Sequence, residues 1–277
     1  MKAITWNELG AQPELRDDLP EPSPGAGEVL VRVHASSVNP VDNAIAAGML
    51  KDMVPHEFPV TLGRDFAGVV EQVGDGVTAV SSGDEVFGFV TAMGPAVHAG
   101  SWAELIVVPE AGLARTPDGV DTATAGAAPL AAVTATTCVD ALDLSQGDTV
   151  LIAGATGGVG SVAAQLAAAA GATVIAPALP VDEDYLRGLG VSHVLPRDTD
   201  VVAAVRERYP DGVDGLADGS VQDAAVLPAV KDGGVVTTVR GYRGDGQRGL
   251  TVTPVVVRKY AEEQAALDRL RGQVEKG

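Results

Sequence analysis

Cysteine is nearly missing from this chain. Cys138 is the only one in 277 residues, so no intrachain disulfide can form, and thiolate-rich zinc frameworks are excluded by count. That usage fits a reducing cytoplasm, the expected location. Positive charge is scarce too: 19 Lys and Arg stand against 37 Asp and Glu, a formal net charge of -18. A field of that sign repels phosphate backbones and anionic lipid surfaces, so neither nucleic acid nor membrane is an expected partner. A neutral small molecule, or one gripped by a local basic patch, is expected instead. Aromatic residues make up only 4%, yet the 46% hydrophobic fraction can fill one large core or two modest ones. The opening MKAITWNELGAQPEL meets charge and turn residues before any apolar stretch, and does not read as a signal peptide. The longest nearly uncharged run, residues 157–181, is broken by Gly171 and Pro177, which suits a helix followed by a strand better than a membrane span.

Up to about residue 120, short apolar-alternating segments lie between Gly and Pro punctuation, the pattern of an antiparallel, loop-rich β unit. Expected strands are Glu28–His34, Ala67–Val73, Asp84–Phe89 and Ser101–Val108. After Asp121 the texture changes to Ala-rich helical stretches alternating with Val/Ile/Leu runs, which predicts βαβ units on a parallel sheet. Strands are predicted at Thr149–Ala153, Thr173–Ala176, His193–Leu195, Gly215–Asp218 and Val235–Val239, and helices at Val159–Ala170 and Asp200–Tyr209. The boundary is expected at residues 116–122, where Thr-Pro-Asp-Gly opens a long helix, giving domains 1–121 and 122–277. Lys259–Glu275 reads as an amphipathic helix with Leu267 and Leu270 on one face.

The segment TVLIAGATGGVGSVAAQLA carries the most information. A buried-type strand runs into a glycine cluster and then a helix, with Ala155, Gly157 and Gly160 in the three positions of G-x-G-x-x-G. Small residues there permit a tight turn and a close approach to a pyrophosphate, and the helix start supplies oriented N–H groups. No lysine follows at the spacing of an ATP-binding P-loop. The next strand ends Ala176-Pro177-Ala178-Leu179-Pro180 without the carboxylate that would mark NAD. Asp182, Glu183 and Asp184 suit the acidic first turn of a helix better than ribose binding. Arg197, after the third strand, could reach a 2'-phosphate or could be a solvated loop residue beside Asp198 and Asp200.

With that loop in place the chain resembles the medium-chain dehydrogenase/reductase family, in its zinc-free quinone oxidoreductase branch. The motifs are Ser36-Ser37-Val38-Asn39-Pro40-Val41-Asp42, Gly63-Arg64-Asp65-Phe66-Ala67-Gly68-Val69-Val70, Gly100-Ser101-Trp102-Ala103-Glu104, and Ala153 to Gly160. The resemblance implies an α/β protein with a GroES-like, β-rich catalytic domain and a Rossmann doubly wound parallel-sheet domain, the active site between them. Zinc-using relatives carry a cysteine near Asn39 and a Gly-His-Glu where this chain has Gly63-Arg64-Asp65, so no metal is implied. It also implies a C-terminal return to the catalytic domain, which the chain ending at Gly277 is expected to lack. Asn39 and Asp42 are implied at the nicotinamide end, as catalytic residues. Thr134, Ala155, Thr156, Gly157, Gly158, Val159, Gly160, Ala178, Arg197 and Gly241 are implied to bind the cofactor, NADPH.

The expected function is therefore NADPH-dependent, zinc-independent hydride transfer to a quinone or α,β-unsaturated carbonyl, by a homodimer whose edge strand lies within Leu250–Val257. Two alternatives stay open: a nucleotide-binding protein without catalysis, and an alcohol dehydrogenase-like enzyme. The residues left over have blander readings. Asn39-Pro40 also suits a simple turn, and Thr134 a cap or packing residue. His56, Glu57, Asp65 and His98 are not at short ligand spacing, His34 and His193 fit strands, and Cys138 fits a helix core.

Overall fold

The computed structural model describes residues 1–51, 57–90 and 100–276, which divide into two compact units, Met1–Leu130 with Arg258–Gly277, and Ala131–Val257. In the first unit the strands are β1 (Ala3–Trp6), β2 (Glu14–Arg16), β3 (Glu28–Ala35), β4 (Val60–Thr61), β5 (Asp65–Val73), β6 (Glu85–Phe89), β7 (Leu105–Pro109) and β8 (Leu113–Arg115). They form an antiparallel five-stranded sheet, β7-β3-β5-β6-β8, and a three-stranded one, β2-β1-β4. Val29, Val31, Phe66, Val70, Val86 and Ile106 fill one core, each fully buried apolar side chain contributing about 1.5–3 kcal/mol. A smaller cluster of Trp6, Ile45, Val60 and Leu62 takes in Trp102, whose ring lies 5.7 Å from that of Trp6. Three of the four expected strands appear where the alternation places them. The fourth starts only at Leu105, because the backbone N–H groups of Ser101 and Trp102 instead donate to the carbonyls of Gly63 and Leu62, both at 3.0 Å.

Two short helices follow the strand pattern rather than interrupting it. α1 (Pro40–Ala46) uses Pro40 in its first turn, where a missing N–H costs nothing. α2 (Thr122–Ala127) is N-capped by Asp121, whose side chain accepts from the Thr124 N–H. The long helix expected after residue 116 is in fact two, because Pro129 cannot donate to the preceding turn and instead opens α3 (Pro129–Leu142).

The second unit is built on a six-stranded, all-parallel sheet: β9 (Thr149–Ala153), β10 (Thr173–Ala178), β11 (His193–Pro196), β12 (Val213–Asp218), β13 (Val230–Thr238) and β14 (Thr251–Pro254). Their spatial order, β11-β10-β9-β12-β13-β14, is the 3-2-1-4-5-6 order of a doubly wound dinucleotide-binding sheet. Helices α4 (Gly158–Ala169), α5 (Glu183–Gly188) and α6 (Val201–Arg208) connect the strands. β9 is buried on both faces: Val150 and Ile152 join one apolar cluster, Leu151 and Ala153 the other. Ala163, Ala164 and Ala167 let α4 lie close to the sheet.

The division of the chain differs from the expected one. The boundary falls at 130/131 rather than 121/122, and residues 258–277, expected in the second domain, belong with the first unit. There α7 (Gln264–Val274) buries Leu267 and Leu270, the face its periodicity announced, and the Ala261 carbonyl comes within 2.9 Å of where a Cβ on Gly112 would stand. A return of the chain to the first unit is thus present. Among the described residues no helix is long and apolar enough to cross a membrane.

Candidate functional site

Because every strand of the second unit runs the same way, all their C-terminal ends lie along one edge. That edge collects the glycine turn after β9, Ala178 and Leu179 at the end of β10, Arg197 after β11, Asp218 at the end of β12, and Gly241 beyond β13. The order reverses between the two neighbours of β9, β10 and β12, which is where doubly wound sheets bind their ligands.

Gly154 turns the chain out of β9 with φ +84°, and Gly157 donates its N–H back to the Gly154 carbonyl at 3.0 Å. A side chain on Gly160 would put its Cβ 2.1 Å from that same carbonyl oxygen, so only glycine lets the turn rest on the helix. Gly157 is the N-cap of α4 and has no side chain to take up the first amides. The N–H groups of Gly158, Val159 and Gly160 therefore start a 12-residue helix without intrahelical acceptors, at its positive end. Their lack of caps and the small residues around them fit a dinucleotide pyrophosphate. The start of α3 is beside them, since the nearest atom to a Cβ on Gly158 is the Ala131 Cβ at 3.5 Å. Thr134, one turn on from Ala131 and buried, shares that helix face.

At the neighbouring strand end, the Ala178 side chain is buried and its carbonyl accepts from the Arg197 N–H at 3.0 Å. Leu179, 41% exposed, is what β10 presents outward, with the exposed Arg197 alongside. The acidic run Asp182–Asp184 does form the first turn of α5, where Glu183 pairs with Arg187. Gly241 turns with φ +85° beyond β13, and nearby the Thr238 hydroxyl donates to the Tyr242 carbonyl at 2.8 Å.

Asn39 and Asp42 are brought together in the first unit. Asn39 caps α1, and its backbone N–H donates to Asp42 Oδ2 at 2.8 Å. Asp42 is fully buried, with Oδ1 3.8 Å from Arg64 Nε, too far for a hydrogen bond, and neither atom has another partner. Burial pushes the Asp42 carboxyl above its ordinary range, with the Asn39 N–H and the Arg64 charge opposing, and lowers the Arg64 guanidinium from its usual value. Beside them Asp65, also fully buried, accepts from the Leu130 N–H at 2.7 Å, from Asn39 Nδ2 at 2.8 Å and from the Ser37 hydroxyl. Burial raises its carboxyl as well, and those three donors pull the other way.

Two participants escaped the sequence reading. Asp65 was visible only as part of a motif and as a weak metal-ligand candidate, although a carboxylate opening a strand within reach of Ser-Ser-Val-Asn is a hydrogen-bonding signal. Asp218 closes a predicted strand, yet its role is plain only in three dimensions. Its buried carboxylate accepts from the Ser220 N–H and hydroxyl, both at 3.1 Å, and from the Asp223 N–H at 2.7 Å, holding the loop after β12 at the reversal point. His56 and His98 lie outside the described residues, among which no group of three or more His, Cys, Asp or Glu is placed to hold a metal ion. Cys138 is buried in α3, and burial pushes its thiol up to about 11.

The family model described as Alcohol dehydrogenase GroES-like domain matches residues 25–118. The chain is 33% identical over 217 residues to a chloroplast envelope quinone oxidoreductase homolog of Arabidopsis thaliana, covering 74% of this chain and 64% of that protein. It is 32% identical over 247 residues to a 2-methylene-furan-3-one reductase of Solanum lycopersicum, covering 87% of this chain and 62% of the relative. The chain thus spans less than two thirds of the length of these curated relatives. The crystal structure of a quinone oxidoreductase from Pseudomonas syringae pv. Tomato DC3000 matches with a TM-score of 0.87 and 30% identity, over 100% of this chain and 89% of that one. The matched GroES-like domain, together with 30% identity over 89% of a solved quinone oxidoreductase, leads to one conclusion: the chain belongs to the medium-chain dehydrogenase/reductase family, in its quinone oxidoreductase branch.

Proposed function

We propose that the protein is an NADPH-dependent reductase that delivers hydride to a quinone or to the β-carbon of an α,β-unsaturated carbonyl, without a metal. One observation carries the reading: the uncapped, glycine-built start of α4 at the reversal point of a 3-2-1-4-5-6 sheet. Backbone N–H groups from Thr156 to Gly160 would hold the pyrophosphate, with Ala155 forming the turn and Thr134, Ala178 and Gly241 lining the same edge. When bound, the reduced nicotinamide supplies the hydride. The residues at the ends of β10 and β11 favour the phosphorylated dinucleotide. β10 ends without a carboxylate to take ribose hydroxyls, whereas Arg197, after β11, adds a cation.

The metal-independent reading is supported by Asn39 and Arg64 at positions where zinc-using relatives carry Cys and His, and by Asp65, whose carboxylate is already occupied by three donors. Conjugated carbonyls accept hydride without metal polarisation, and the names of the Arabidopsis and tomato relatives point to such acceptors. Purified protein mixed with NADPH and a panel of small quinones and enones should consume the nicotinamide absorbance, in the absence of stoichiometric zinc. No turnover with any acceptor would overturn the reading. Arg197→Ala should lose about tenfold of the preference for NADPH over NADH, the value of one charge-assisted hydrogen bond. A homodimer paired through the edge strand β14 is also proposed, with light scattering to give twice the 28.0 kDa chain mass. The lone, buried Cys138 supports a cytoplasmic location.

A further inference from the structure

A long, flexible arginine ordinarily carries its charge out to water. Arg64 does not: its side chain is only 6% exposed, and Nε is fully enclosed. A guanidinium has five N–H donors. Among the described residues, none of those of Arg64 meets an acceptor at hydrogen-bond distance. The Asp42 carboxylate holds Oδ1 3.8 Å from Nε, and that oxygen has no hydrogen-bond partner either. Burying a cation without hydrogen bonds is among the costliest arrangements a fold can keep.

The chain around it is anchored. The Arg64 carbonyl accepts from the Val90 N–H at 2.9 Å, the Gly63 carbonyl from the Ser101 N–H at 3.0 Å, and the Asp65 carbonyl from the Ser36 hydroxyl at 2.8 Å. Trp102 packs so closely on Gly63 that a Cβ there would stand 2.5 Å from its ring.

Charge is unbalanced as well. Burial lowers the guanidinium from its usual value, Asp42 and Asp65 oppose that, and the charge of Arg258, where the chain returns to this unit, adds to it. Burial also pushes both carboxyls toward their neutral forms, and Asp65 already takes three donors. Cationic charge is left over, with room for one negative charge to balance it. Nε faces Asp42 and is sealed, whereas Nη1 and Nη2 are not enclosed in the same way, so they form the edge a ligand meets.

We propose that Arg64 anchors an anion site in the first unit for a small monocarboxylate, whose two coplanar oxygens take the paired N–H groups of Nη1 and Nη2. A dianion such as phosphate fits worse, because its second charge would face Asp42. All of these residues belong to one unit, so the site stands independently of the nucleotide.

The test uses the full chain without nucleotide, with sodium acetate replacing sodium chloride at constant ionic strength. Both tryptophans of the chain lie in the cluster beside Gly63, so their fluorescence is the readout, with the melting temperature as a second one. Acetate should give a saturable change and a rise in melting temperature, with sodium phosphate binding at least about tenfold more weakly. Arg64→Met, similar in length but uncharged, should abolish both responses. Arg64→Lys keeps the charge without the fork and should raise the acetate midpoint at least about tenfold, which carries the comparison if the methionine variant does not fold. A chain that responds no differently to acetate than to chloride has bound an adventitious ion only, and the proposal fails. It fails equally if phosphate binds as tightly as acetate, or if the lysine or methionine variant keeps the unaltered midpoint. None of these results touches the reductase reading, which is tested by turnover.

Discussion

Replacing Gly160 by alanine would put a methyl group where backbone already stands. Its Cβ would lie 2.1 Å from the Gly154 carbonyl oxygen and 2.8 Å from Ala155 Cα, so the turn and the first turn of α4 must part by about 1 Å. Overpacking of this kind costs about 1–3 kcal/mol, and the better helix propensity of alanine returns at most ~1 kcal/mol. A net loss of about 1–2 kcal/mol is expected. Gly158 offers the same substitution with the opposite outlook. The nearest atom to a Cβ there is 3.5 Å away, an ordinary contact, so Gly158→Ala should be neutral or stabilising by up to ~1 kcal/mol. Gly157→Ala, with 3.3 Å to the Gly154 oxygen, should fall between them. Urea midpoints of the three variants give this order directly. Titration with NADPH adds the functional half: amides displaced by about 1 Å lose one charge-assisted hydrogen bond or more, so Kd for Gly160→Ala should rise about 10- to 100-fold. A Gly160→Ala protein that unfolds at the same urea concentration as Gly158→Ala and binds NADPH undiminished would refute the reasoning.

Three further outcomes follow from the structure. Leu267→Ala should cost about 2–5 kcal/mol in chemical denaturation, because that side chain is fully buried against the first unit, and a loss under about 1 kcal/mol would show α7 to be undocked. Val221 holds φ +60° in the loop after β12, a conformation that burdens a β-branched residue with about 1–3 kcal/mol. After the entropy cost of glycine, Val221→Gly should still raise the melting temperature, and a fall would count against strain at this position. Asp65 is held above the usual carboxylate range by burial, so the folded chain keeps a proton that the unfolded chain releases. That contribution to stability is lost as pH rises from the ordinary carboxylate range through the raised value. The stability of Asp65→Asn relative to the unaltered chain should therefore improve as pH rises above the ordinary carboxylate range, and a pH-independent difference would contradict the shift.

The parallel sheet was the most legible part of the chain. Thr149–Ala153 is a run bounded by Asp148 and Gly154, and its observed ends are the predicted ones. The other four predicted strands of that sheet differ from expectation only in their ends, β13 starting at Val230 rather than Val235, and the sixth, β14, was not among them. Glycine spacing likewise announced the turn, since the steric demand at Gly160 is local. What sequence could not show was the destination of a segment. Leu267 and Leu270 declare an apolar face, but periodicity does not say which core receives it, and α7 joins the unit at the other end of the chain. The Asp65 cluster was hidden for the same reason. Its partners Ser37, Asn39 and Leu130 are 28, 26 and 65 residues away along the chain, and only strand pairing reveals them as neighbours.

That late return of the chain bears on how the molecule is made. During synthesis the six-stranded sheet has all its strands once Pro254 has emerged, whereas the β-rich unit, begun first, still lacks the helix that covers Leu113 and its neighbours. Residues 1–130 must therefore wait, partly uncovered, for residues 258–277. Chaperones and proteases would find their opening in that interval.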